Sequence, residues 1–148
     1  MLYLRMKQQS FNGALNIPTE EQEQMKLIEW TEIMTAKWPE LVLLHHIPNG
    51  GYRTPVEAAK FKALGVKRGV PDIHLPVARG GYHGLYIEMK RTEGGVLSED
   101  QKWWLKALGA QGYCSWLCDG CDKAIEVIEK YLEGRLTKND SKRNGGVA

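Results

Sequence analysis

Two acidic residues and a lysine interrupt the stretch GVPDIHLPVARGGYHGLYIEMKR, residues 69 to 91, which otherwise has the pattern of an apolar two-stranded hairpin. Charge is costly to bury unless something compensates it. If the turn centres on Gly80, Asp72 and Glu88 each lie eight residues away and face each other on neighbouring strands. Side chains alternate along a strand, so Lys90 shares the face of Glu88. A register shifted by one residue would separate these groups.

This arrangement predicts a metal-dependent phosphodiesterase site. Two opposed carboxylates repel, and one of them tends to stay protonated. A divalent cation removes the conflict, and Mg²⁺ accepts hard oxygen ligands together with water. Such an ion lowers the pKa of a bound water and neutralises charge on a phosphoryl group. Lys90 would reach the same site, where its ammonium can hold the attacking water or stabilise the transition state.

The elements that must position these groups follow the order helix, strand, short helix, strand, strand, helix, strand, helix. Three capping boxes predict helix starts, at Thr19 with Gln22, Thr54 with Glu57 and Ser98 with Gln101. An apolar stripe on the first helix comprises Met25, Leu27, Ile28, Ile33 and Met34, and Pro39 is expected to end that helix. We expect strands at LVLLHHI (41 to 47) and YCSWLC, and a last helix capped by Asp122. This order predicts an α/β fold with one mixed sheet flanked by helices.

Length and composition indicate one domain in a reducing compartment. The 148 residues suffice for one hydrophobic core, and we divide them into an unassigned extension (1–18), a folded domain (19–135) and a disordered tail (136–148). A net charge of +2 excludes a strong overall field for nucleic acid, so such binding would need a local basic patch. Three clustered cysteines and the lack of a signal-peptide or membrane-length apolar run predict a cytoplasmic protein.

The segments VPD (70–72) and EMK (88–90) resemble the PD-(D/E)xK nuclease signature. With GVKRGVPD, YIEMKR and LSEDQKWWLKALGAQGY, the chain is similar to the virus-type replication-repair nuclease (VRR-NUC) family over roughly residues 19 to 133. The resemblance implies a restriction-endonuclease-like fold and hydrolysis of DNA with Mg²⁺ or Mn²⁺. It also implies a homodimer of phage type, acting in the host cytoplasm on branched DNA such as Holliday junctions.

The resemblance assigns the site residues one by one. Asp72 and Glu88 would bind the metal, with the backbone carbonyl of Met89 as a further ligand, and Lys90 would be the catalytic lysine. The family also places an acid on the first helix.

Glu20 fits that position best, reaching the ion directly or through water, because Gln24 shares its helical face; Glu23 is the alternative. An acid in a first turn also favours the helix dipole without any function. Gln101 would reach the site from the next helix, or else complete the Ser98 capping box, and we expect its side chain to serve one role only.

Several cations lie near these residues in sequence and are predicted to contact phosphates without reading sequence: Arg53, Lys60, Lys62, Lys67, Arg68 and Arg91. The structural alternative is a solvated helix face. For the chain as a whole, the alternative function is a non-catalytic DNA-binding module that keeps the nuclease fold.

Other chemical groups invite weaker hypotheses. His45, His46 and Asn49 could form an HNH-like nuclease site, although adjacent strand residues face opposite ways. Cys118 and Cys121 have CxxC spacing, but with Cys114 they offer only three zinc ligands, so buried cysteines are the preferred interpretation. Of Trp103 and Trp104, at least one is expected in the core.

Overall fold

The computed structural model describes residues 16–49, 51 and 53–138. The predicted order of helices and strands is confirmed, with a 3₁₀-helix added. The elements are α1 (Glu20–Met34), the 3₁₀-helix (Pro39–Leu43), β1 (His45–His46), α2 (Pro55–Ala63), β2 (Ile73–Leu75), β3 (Leu85–Lys90), α3 (Glu99–Ala110), β4 (Cys114–Asp119) and α4 (Cys121–Leu132).

The four strands form one mixed sheet in the order β1-β2-β3-β4. Strands β1, β2 and β3 pair antiparallel, and β3 pairs parallel with β4 through the α3 crossover. Because Ile73 pairs with Ile87, the same register extended by one residue sets Asp72 opposite Glu88, as the sequence predicted. The predicted α/β fold with a helix-flanked mixed sheet is therefore confirmed.

The hydrophobic core lies between one face of this sheet and helices α1 and α4. Strand β3 contributes its alternate residues Leu85, Ile87 and Met89, and α1 contributes Leu27 and Trp30. The amphipathic α4 buries Ile128 and Tyr131 among others. The opposite face of β3 carries Tyr86, Glu88 and Lys90, and the N-terminal end of α3 lies on that side.

The first helix differs from its predicted form. Met25 is 65% exposed and Ile33 is 41% exposed, so the predicted stripe is wrong at both positions. The buried face instead comprises Glu23, Leu27, Trp30 and Thr31. Thr31 is buried with its hydroxyl donating to the Ile28 carbonyl, and Trp30 is buried through its large apolar ring. A pattern of Met and Ile residues does not predict either of them.

The segment after α1 also differs. The helix already ends at Met34, and Pro39 opens the 3₁₀-helix instead of ending α1. Proline suits a first helical turn because it needs no donor there. Of the predicted strand 41–47, only His45–His46 pairs as a strand.

All three predicted capping boxes are present, at Thr19, Thr54 and Ser98. The predicted Asp122 cap is wrong, because α4 begins after Gly120, whose φ is +88°. The first amide of this helix, Cys121 N–H, instead donates to the Glu23 carboxylate at 2.8 Å.

The chain ends fall largely outside the described residues. Of the predicted extension (1–18) and tail (136–148), residues 1–15 and 139–148 are not described. Leu136, at the start of that tail, is buried in the core. Among the described residues, no helix has the length and apolar character needed to cross a membrane.

Candidate metal and catalytic site

Three carboxylates from three separate elements meet at the polar side of the hairpin. Glu20 is the first residue of α1, Asp72 directly precedes β2, and Glu88 lies in β3. One oxygen from each lies within 4.8 Å of the others. The Thr19 capping box fixes where α1 starts, and thereby where Glu20 is presented.

Asp72 is held by hydrogen bonds from β3 on one side and from the end of β1 on the other. Its Oδ2 accepts from Met89 N–H at 2.8 Å. Its carbonyl accepts from Ile47 N–H at 2.7 Å and lies 2.8 Å from His46 Nδ1. Burial raises the pKa of Asp72, the Met89 hydrogen bond opposes this, and the Glu20 charge adds to it. The carboxylate is therefore fixed in place while its second oxygen is left for another partner.

Glu88 is the most buried acid of the cluster, with 1% of its surface exposed. Its Oε1 accepts from Lys90 Nζ at 2.9 Å and from Gln101 Nε2 at 2.5 Å. Its Oε2 is buried and has no hydrogen-bond partner among the described residues. Burial, and secondly the Asp72 charge, raise the pKa of Glu88 to about 7.

Lys90 points into the same cluster. Its Nζ lies 2.9 Å from Glu88 Oε1 and 3.4 Å from Glu20 Oε2, with 7% of the side chain exposed. Burial works against its charge, but the hydrogen bond and charge of Glu88 outweigh burial, so the pKa of Lys90 is raised. Gly95 packs on its stem: a Cβ there would lie 2.8 Å from Lys90 Cβ.

Gln101 serves both of its predicted roles at once. Its Oε1 accepts from Ser98 N–H at 2.9 Å and closes the capping box. Its Nε2 donates to Glu88. The expectation that one role would exclude the other is wrong, because the two ends of an amide act independently. The capping hydrogen bond from Ser98 therefore also orients the Gln101 amide that donates to Glu88.

The donor set fits a divalent cation. Three carboxylates face one ammonium, and the Glu88 Oε2 atom is buried without a partner. An octahedral Mg²⁺ holds oxygens at about 2.1 Å, so opposite ligands lie about 4.2 Å apart. The three carboxylate oxygens all lie within 4.8 Å of one another, which is compatible with that span. The Met89 carbonyl as a ligand, and the individual catalytic roles, stay predictions.

Glu23, the alternative acid, is outside this cluster. Its carboxylate is 5% exposed and accepts from Cys121 N–H. Its position is explained by the start of α4, so Glu20 is the acid of α1 that the structure brings to Asp72 and Glu88.

Sequence reasoning missed the residues that fasten the loop before Asp72. Asn49 Nδ2 donates to the Val70 carbonyl at 2.6 Å, and Trp104 Nε1 donates to the Arg68 carbonyl at 2.9 Å. Gly69 has a φ of +82°, and a Cβ there would lie 2.6 Å from the Asp100 backbone carbon. A glycine just before VPD was the available signal, because only glycine permits both features.

The remaining candidates are not members of the carboxylate cluster. His45 and His46 are exposed and bond to the backbone carbonyls of Leu43 and Asp72. The predicted phosphate contacts are exposed or half-buried surface cations: Arg53, Lys60, Lys62, Lys67, Arg68 and Arg91.

The cysteines and tryptophans have no place in the site. Cys114, Cys118 and Cys121 are free and buried, and burial raises the pKa of each thiol to about 12. The prediction of a tryptophan from α3 in the core is wrong. Trp103 is 62% exposed, and Trp104 is half-buried against the Arg68 loop.

Comparison with known proteins places this geometry in context. The family model described as "VRR-NUC domain" matches residues 15–122. A solved structure named "VRR_NUC domain protein" is 36% identical in sequence and superimposes with a TM-score of 0.71. That match covers 81% of this chain and 93% of the other. No curated protein matches the chain significantly.

Proposed function

The chain belongs to the VRR-NUC domain family, whose members are nucleases, and on that premise we propose that it is a Mg²⁺- or Mn²⁺-dependent DNA endonuclease. Glu20, Asp72 and Glu88 would hold the metal, and Lys90 and Gln101 would complete the active site. The reaction would be hydrolysis of a phosphodiester bond.

One observation carries the proposal most strongly. The Glu88 Oε2 atom is buried without a hydrogen-bond partner, beside two further carboxylates. A buried acceptor without a partner is costly, and crowded carboxylates add repulsion. A divalent cation bound there would relieve both costs, which supports a metal site over an accidental acidic cluster.

The residues divide the chemistry among them. A bound divalent ion would supply a water of lowered pKa and neutralise charge on the phosphate. Asp72 and Glu88 present oxygens from rigid strand positions, one fixed by Met89 N–H and the other by Gln101. Lys90 lies at the cluster as a point charge, able to orient the attacking water and to stabilise developing negative charge.

We further propose branched DNA, such as four-way junctions, as the substrate of a phage-type homodimer. The chain carries no evident base-reading motif, which favours recognition of DNA shape. A two-fold dimer would place two active sites for symmetric cuts on two strands.

Cleavage assays on a plasmid and on a synthetic four-way junction test the nuclease proposal. Wild type is expected to cut with Mg²⁺ or Mn²⁺ and not with EDTA, while Lys90→Ala binds DNA without cutting. A wild type that cuts nothing with any divalent ion would favour the non-catalytic binding module. Loss of cleavage in His46→Ala with cleavage retained in Asp72→Ala would favour the HNH-like alternative.

A further inference from the structure

Among the described residues, helix α2 has no face packed into the hydrophobic core. None of its nine residues is buried. Val56 is 80% exposed, and Leu64, which follows the helix, is 68% exposed. Most helices in proteins are stabilised by packing of one face against the core, whereas α2 depends on its capping box and its N-terminal proline. Such a helix is available to a partner along its whole length.

Net positive charge is concentrated in the segment around α2. Residues 53–68, here called the basic arm, contain five cations and one acid, a formal charge of +4. The whole chain has +2, so all other residues together carry −2. The single acid, Glu57, is engaged by Thr54 in the capping box.

The cations of the basic arm are almost free of acidic partners. Among the described residues, only Arg68 of these cations has an ion pair, a 3.9 Å contact with Asp100 between largely exposed side chains. Within the described part of the chain, Lys60, Lys62 and Lys67 have none. Their charges are therefore available to an external anion.

The base of the basic arm is fastened to the active site. The Asn49–Val70 hydrogen bond of 2.6 Å closes the segment just before Pro71 and Asp72. Ile47, the residue after β1, donates its N–H to the carbonyl of Asp72, the residue before β2. The arm therefore joins the sheet directly beside Asp72, and a ligand bound along it lies on a segment continuous with the active site.

We propose that the basic arm docks on the phosphate backbone of the duplex that flanks the scissile bond. The inference rests on DNA being the substrate, and it adds a preformed contact outside the active site that sets where the flanking duplex lies. A nine-residue helix is about 13 Å long at 1.5 Å per residue. At 3.4 Å per base pair this corresponds to about four base pairs of flanking duplex.

The salt dependence of binding tests this contact with a matched control. Lys60→Gln/Lys62→Gln alters the arm, and Lys123→Gln/Lys130→Gln removes the same charge from α4, which packs on the core face of the sheet. Binding of a labelled duplex is measured in EDTA, which prevents cleavage, over a range of KCl. Each lost phosphate contact reduces the slope of log K against log[salt] by about 0.9, so the arm variant should lose about 1.8. The α4 variant should keep the wild-type slope.

Equal slope changes in the two variants would attribute the effect to net charge and overturn the proposal. A Val56→Asp variant that turns a dimer into a monomer in sedimentation would show that a second copy covers α2, and would also overturn it. Cleavage is a separate readout: a changed slope with an inactive wild type would contradict the nuclease proposal only. With an active wild type, shortening the flanking duplex below four base pairs should abolish the difference between the arm variant and wild type.

Discussion

Two buried glutamates, Glu23 in α1 and Glu88 in β3, have different surroundings in the same molecule. Glu23 is 5% exposed and Glu88 is 1% exposed, so burial alone does not distinguish them. Glu23 accepts from the first amide of α4, where the positive end of a helix stabilises a carboxylate. Glu88 lies beside two other carboxylates and keeps one buried oxygen without a partner.

The difference separates an acid with a structural partner from one that, under the proposed function, binds the metal. At Glu23 the protein itself supplies the donor, so its structural role is complete. At Glu88 the protein supplies Lys90 and Gln101 to one oxygen only. Leaving the other oxygen unsatisfied costs stability, and under the proposed function a bound cation would relieve that cost.

The largest expected effect comes from replacing each glutamate by its neutral isostere. Glu88→Gln should reduce cleavage by about 10²- to 10³-fold or more, because it removes a charged ligand at the reacting centre. The metal-free variant should be about as stable as wild type, because neutralising Glu88 removes the cost of burying its charge and the repulsion from Asp72 but also weakens the pairing with Lys90. Cleavage rates and thermal melts measure the two quantities.

Glu23→Gln is the matched control and should show the reverse pattern. The loss of a charged acceptor for a buried helix start should lower the free energy of unfolding by about 1–3 kcal/mol. Cleavage per folded molecule should be unchanged. Cleavage lost in Glu23→Gln at full folding would contradict the division between the two acids.

The next effect is stabilisation by the ion itself. Mn²⁺ or Mg²⁺ at 100 times its dissociation constant should stabilise wild type by about 2.7 kcal/mol, seen as a higher Tm, and should stabilise Glu88→Gln much less. Glu23→Gln should respond like wild type. An equal Tm increase in wild type and Glu88→Gln would mean that the ion binds elsewhere.

The raised pKa of Glu88 gives this effect a pH dependence. A carboxyl whose pKa is raised to about 7 on folding favours the folded state below its ordinary pKa of 4.5. That contribution is lost as pH rises through about 7, so the metal-free protein should lose stability between pH 4.5 and 7. A cation must displace the Glu88 proton below pH 7, so the Tm increase should be larger at pH 8 than at pH 6.

The same contrast explains what could be predicted from sequence. Asp72 and Glu88 were placed opposite each other because a hairpin centred on Gly80 has local symmetry, and the observed register agrees. The capping boxes were predictable because the two partners lie three residues apart, so their contact depends on local backbone geometry and not on the fold.

Features that depend on distant partners could not be predicted in this way. Glu23 and Cys121 lie 98 positions apart in the sequence, so no residue near Glu23 indicates that it accepts this hydrogen bond. The burial of Trp30 and Thr31 in place of Met25 depends on how α1 lies on the sheet. The fastening of Gly69 against α3 likewise requires the fold.

The smallest expected effect distinguishes the two functions of Gln101. Ser98→Ala removes the hydroxyl that caps α3 and should cost about 1 kcal/mol of stability, with cleavage retained. Gln101→Ala removes both the capping acceptor and the donor to Glu88, so it should show a similar stability loss together with slower cleavage. Thermal melts and cleavage rates on the same preparations separate these outcomes.

Gln101→Glu sharpens the test, because it keeps an oxygen for Ser98 N–H but replaces the donor by a further acceptor beside Glu88. If the donor matters, this variant keeps the cap and cleaves slowly, since another carboxylate adds repulsion within the cluster. If Gln101→Ala and Ser98→Ala cleave equally well, the amide acts only as a cap. Glu88 would then be oriented by Lys90 alone, and α3 would belong with Glu23 among the parts that serve folding.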